Sequence, residues 1–148
     1  MDFDNKAVVR AERFAARVFT VAGVWGMLVV APLYFAFDAI GRAYPPPITH
    51  PDFYYGFVGV TLAWQLAFLL IATNPVRYQP FMIAAVAEKA LYIVAMIALY
   101  LRGQLQFGQA IVVIVPDGLL AVGFVAAWYR LRPGSDAAMN PAAHARTR

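Results

Sequence analysis

FMIAAVAEKALYIVAMIALYL, residues 81–101, is an apolar stretch interrupted by two adjacent charges, Glu88 and Lys89. A bilayer hydrocarbon core needs about 20 apolar residues at a helical rise of about 1.5 Å each, and this stretch has that length. A charged side chain near the centre of such a span costs about 2.5–3.5 kcal/mol on insertion scales. Two neighbouring ones persist only where protein, water or a ligand meets them. The stretch therefore predicts both a membrane-spanning helix and a polar interior.

The rest of the composition agrees. Of 148 residues, 62% are hydrophobic and 14% charged, with a mean hydropathy of +0.63; soluble domains carry about 25% charged residues. The apolar residues fall into four long runs, so the fold class is all-α, a polytopic membrane protein of one domain. Cysteine is absent, which excludes disulfides, thiolate metal ligands and a cysteine nucleophile. The histidines, His50 and His144, lie outside the runs, and His50-Pro51-Asp52 lacks a third ligand. No metal site or cofactor is implied. Phosphate-binding glycine loops and serine-nucleophile motifs are missing. The net charge of +4 comes mainly from arginines flanking the runs, which reads as topology and lipid signals rather than nucleic-acid binding.

Residues 1–17 read as a basic juxtamembrane helix. Lys6, Arg10, Arg13 and Arg17 share one helical face, suited to anionic headgroups. The spans are expected at 18–37, 53–72, 81–101 and 107–129, within a transmembrane domain of 18–131. Pro32 is expected to kink the outer end of the first. Residues 38–52 hold Pro45, Pro46, Pro47 and Pro51 and predict a stiff polyproline-II strap. Arg102-Gly103 should end the third span as a glycine-terminated helix. The tail, 132–148, lacks periodicity and reads as disordered.

Nine of the twelve basic residues fall on one side of the spans, Arg42 and Arg102 on the other, and Lys89 lies inside. Both termini are therefore expected in the cytoplasm. Short second and third connections force antiparallel neighbours, giving a four-helix up-down bundle. Abundant Ala and a preference for Arg over Lys point to a bacterial inner membrane.

In that topology Gln65, Glu88, Lys89 and Asp117 occupy one slab about 6 Å thick, by helical rise. They are expected to share a cavity, with Thr61, Trp64 and Tyr92 beside them. Asp117 is too short to reach the boundary from mid-depth and needs an internal partner, which the one available lysine can supply. Lys89 has a structural alternative, snorkelling toward the cytoplasmic boundary, and Gln65 has another, bonding a neighbouring helix. Glu88 and Lys89 diverge by about 100° on a helix, so they are not expected to point at one partner. One lysine against two carboxyls leaves one carboxyl surplus, assigned to Glu88, and it must be protonated or meet a cation or a polar ligand. Pro-Asp-Gly at 116–118 implies either a kinked continuous helix or a break with Asp117 near the start of a second half.

The order of elements resembles the EXPERA-type four-helix membrane proteins, which include the emopamil-binding sterol isomerases. The resemblance spans residues 25–129 in outline. It rests on Asp38 at the outer end of the first span, on Trp64-Gln65-Leu66 followed by Ile71-Ala72-Thr73, and on the proline inside the fourth span. It implies a cavity for an apolar or amphipathic small molecule, opening toward lipid. Thr61 stands where that family's second span would carry an acidic ligand-binding residue, a departure that bears on amine recognition and isomerase chemistry.

Three functions follow: a protein binding or transporting a small amphipathic or lipid-like molecule, an isomerase-type enzyme using a buried carboxyl as proton carrier, and an assembly subunit pairing its charges with another membrane protein. An enzyme needs two carboxyls near one closed cavity, a transporter needs access from both sides, and a subunit would leave its charges on the lipid-facing exterior.

Overall fold

The computed structural model describes residues 2–43 and 47–139. It is all-helical, with no strand among the described residues. Four helices are long and apolar enough to cross a membrane.

Helix α1 (Asp2–Val30) joins the basic segment and most of the first apolar run into one rod, about 43 Å long by helical rise. The boundary expected at residue 17 does not interrupt it. Its α geometry ends just before Pro32, and the chain tightens into a 3-10 turn, Ala31–Phe35. A proline is tolerated in the first turn of a helix, where its missing N–H is not needed.

The connection to the second long helix contains a short helix, α2 (Phe37–Ala43), with Asp38 in its first turn and Arg42 in its last. This corrects the expected strap, whose first residues, 38–43, are helical; of its three consecutive prolines, Pro45 and Pro46 lie outside the described residues. Helix α3 (Pro51–Thr73) opens with Pro51 and Asp52 in its first turn, where a fixed φ and an acidic charge both favour a helix start. The turn that follows is tied by Asn74 Oδ1, which accepts from the Arg77 backbone N–H at 3.1 Å.

Helix α4 (Met82–Leu101) ends as its sequence predicts. Gly103 takes φ +70°, its N–H donates to the Tyr100 carbonyl at 2.9 Å, and the Gln104 N–H reaches back to Leu99 at 3.0 Å. Helix α5 (Phe107–Met139) is continuous across Pro116, so the broken-helix alternative does not hold. It also continues through residues 132–139, eight residues into the segment expected to be a disordered tail; 140–148 lie outside the described residues.

All neighbouring long helices run antiparallel. Along α1, Phe19 meets Phe68 of α3, while Leu33 in the 3-10 turn just beyond α1 accepts from the Tyr54 hydroxyl at 2.8 Å. Phe57 and Trp64 of α3 stack on Tyr92 and on Phe81 just before α4. Tyr100 of α4 meets Phe107 at the start of α5, and Phe14 of α1 lies under Arg130 near its end.

The two halves of the bundle differ. The half nearer the basic end is solid, built on Phe19, Phe68, Phe124, Ile71, Met82 and Leu131. Phe19 and Phe124 stack with centroids 4.3 Å apart, and Phe68 leans on Phe124 at 5.0 Å. Among lipid-like solvents, close packing rather than burial from water holds helices together. Gly23 provides such an approach: a Cβ there would sit 2.7 Å from the Leu69 side chain and 2.9 Å from the Gln65 carbonyl. The half nearer α2 is hollow.

Candidate binding cavity

A cavity of about 320 Å³ fills that hollow half. All four long helices contribute to it, among them Ala22, Trp25, Gly26 and Val29 of α1, Thr61 and Gln65 of α3, Glu88, Lys89 and Tyr92 of α4, and Pro116 and Asp117 of α5. The volume lies at the lower end of the range for small-molecule sites, about 300–1,000 Å³. Its walls are mostly apolar, and its ionisable groups gather on α4 and α5. Toward the basic end, the stacked Phe19–Phe68–Phe124 core fills the bundle. Toward α2, the rings of Tyr34, Phe37, Tyr54 and Tyr55 stack among themselves. Trp25, 55% exposed, and Val112, 74% exposed, line the cavity and also face outward, so it reaches the flank of the bundle.

Lys89 is the centre of the polar cluster. It is only 6% exposed and does not snorkel. Its Nζ stands 3.0 Å from Asp117 Oδ1 and 3.3 Å from Glu88 Oε2, and lies 5.5 Å from the Phe68 ring centroid. The expected pairing of Lys89 with Asp117 is present. The expected divergence of Glu88 from Lys89 is corrected: their Cβ directions differ, but the long lysine stem swings its ammonium between the two carboxylates. Glu88 is thus not left without a cation, although its buried Oε2 accepts no hydrogen bond. With all three groups ionised the cluster carries one net negative charge.

Gln65, 2% exposed, donates from Nε2 to the Thr61 carbonyl at 2.9 Å. This bond lies within α3 rather than to a neighbouring helix. The amide end rests against Gly26, and a Cβ at that position would overlap it. Gly26 is a residue the sequence reading did not single out for the site. Small residues on apolar helices mark close approach, and that was the available signal.

Of the candidate site residues, Thr61, Gln65, Glu88, Lys89, Tyr92 and Asp117 line the one cavity. Trp64 does not line it; its ring stacks on Phe81 with centroids 5.8 Å apart and leans on Phe68. Asp38 is exposed on α2, away from the lining. Tyr92 lies one turn along α4 from Glu88, and its ring stacks on Phe57 with centroids 6.1 Å apart. No protein-family profile, curated protein or solved structure matches this chain.

Proposed function

We propose that this is a membrane-embedded binding protein, with both termini in the cytoplasm, whose intramembrane cavity holds a small amphipathic molecule. The observation that carries the reading is the form of the cavity: mostly apolar walls, with the Glu88–Lys89–Asp117 cluster on one side. An apolar body fits the walls and a polar end meets the cluster. The filled aromatic core toward the basic end favours binding over passage through the bundle. The inward-facing charges argue against a subunit that offers them to a partner across lipid.

A second reading, an isomerase-type enzyme, is favoured by one feature. Two carboxyls face the same cavity, so a proton could be given and taken on one bound molecule. The EXPERA resemblance would suit either reading, with the acidic groups supplied here by α4 and α5 in place of the second span.

The test is retention of a bound molecule. The protein is purified in a mild detergent, and its organic extract is compared by mass spectrometry with that of Val113→Trp, which fills the cavity from α5. Thermal unfolding checks that the variant is folded. A small molecule present in the wild-type extract and depleted from the variant supports the reading; equal amounts in both overturn it.

A further inference from the structure

With its three groups ionised, the polar cluster of the cavity carries one net negative charge. One ammonium, Lys89, is shared between two carboxylates at 3.0 and 3.3 Å, and its remaining face lies toward the Phe68 ring. The other polar side chains of the lining, Thr61, Gln65 and Tyr92, are neutral residue types. An incoming anion would therefore find the cation engaged and two like charges beside it, in surroundings of low dielectric where repulsion is little screened. A hydrogen-bond donor finds the reverse, two carboxylate side chains that line the cavity, each keeping 17% of its surface open and able to accept.

We infer that the cavity selects amphiphiles by headgroup, taking those with an uncharged or cationic hydrogen-bond donor and rejecting those with a carboxylate or phosphate. This rests on the binding reading above and adds the class of ligand. It also separates two lipid-facing parts of the molecule by charge. The Lys6, Arg10 and Arg13 face near the start of α1 is suited to anionic headgroups, whereas the interior is closed to them.

Three probes of equal chain length test it: dodecanol, dodecylamine and dodecanoate. Each is titrated into the full-length protein in phosphatidylcholine nanodiscs at neutral pH, with empty nanodiscs correcting for partition into lipid. Tryptophan fluorescence reports occupancy, and loss of the signal in Trp25→Phe assigns it to the cavity wall. Dodecanol and dodecylamine should each bind at least about tenfold tighter than dodecanoate, a difference of about 1.4 kcal/mol. The gap should narrow in Glu88→Gln and in Asp117→Asn, each of which removes one carboxylate and keeps its shape. Dodecanoate binding as tightly as the other two in the wild type overturns the selectivity while leaving a binding cavity in place. A gap unchanged in both variants also overturns it, because the sign would then come from elsewhere. No response to any of the three overturns the binding reading and the selectivity with it.

Discussion

Lys89 on α4 crosses to Asp117 on α5, Nζ to Oδ1 at 3.0 Å, and so joins two helices through a contact almost removed from solvent. Because the same ammonium also stands 3.3 Å from Glu88, the three groups form a shared arrangement rather than a simple pair. Removing different members should therefore have unequal effects.

Lys89→Met leaves two carboxylates in one apolar cavity with no cation, and should destabilise the bundle by about 3–5 kcal/mol, the range for stranding buried charge. Asp117→Leu should cost less, since Lys89 keeps Glu88. The double variant Lys89→Met/Asp117→Leu should be more stable than the sum of the single losses predicts. Reversible unfolding in mixed micelles gives the double-mutant cycle. Strict additivity would mean that the 3.0 Å contact does not persist in the folded protein.

At Gly26, α1 lies so close to the Gln65 side chain that an added Cβ would overlap its amide. Gly26→Ala places a methyl group on the Gln65 amide and should destabilise by about 1–3 kcal/mol, as overpacking does. Replacing Gln65 by Ala as well removes the obstructing group, so Gly26→Ala should cost little in a Gln65→Ala background. Thermal unfolding of the four proteins checks this. An equal loss in both backgrounds would trace the effect to the α1 backbone instead of the amide.

These cases also show what could be read from the chain. The long helices were legible because four apolar runs with glycine, proline and basic punctuation leave few alternatives to four antiparallel rods. The shared depth of Gln65, Glu88, Lys89 and Asp117 followed from counting residues along those rods. Helix α2 was not legible, since seven residues rich in small and apolar types beside three prolines carry too little periodicity to register. The Glu88–Lys89 contact was misjudged for a different reason: angular separation describes Cβ directions, whereas four methylenes let an ammonium swing across them. Gly26 was overlooked as a site residue because a glycine contributes room, which becomes visible only once Gln65 is seen to occupy it.

The orientation proposed from the basic residues predicts an accessibility pattern. Thr49, exposed in the connection before α3, should lie outside the cell, and Ser135 near the end of α5 inside. A cysteine introduced at Thr49 should react with an impermeant maleimide on intact cells, and one at Ser135 only after permeabilisation. The chain has no cysteine of its own, so the background is clean. Labelling in the opposite order would invert the topology.

Pro116 sits directly before Asp117 on α5, and its ring nitrogen has no proton to give the Val112 carbonyl one turn earlier. Val112 lines the cavity and is widely exposed. Pro116→Ala should restore the missing hydrogen bond, worth about 0.5–1.5 kcal/mol in net terms. It also removes the clash between the proline ring and the Val112 carbonyl, and so should shift Asp117 relative to Lys89. The two effects oppose each other in the wild-type background, where the 3.0 Å ion pair is weakened as the helix is strengthened. They do not oppose in Lys89→Met/Asp117→Leu, where no pair exists to lose. Pro116→Ala should accordingly raise the unfolding temperature more in that double variant than in the wild type. An equal rise in both would mean that the proline does not position Asp117.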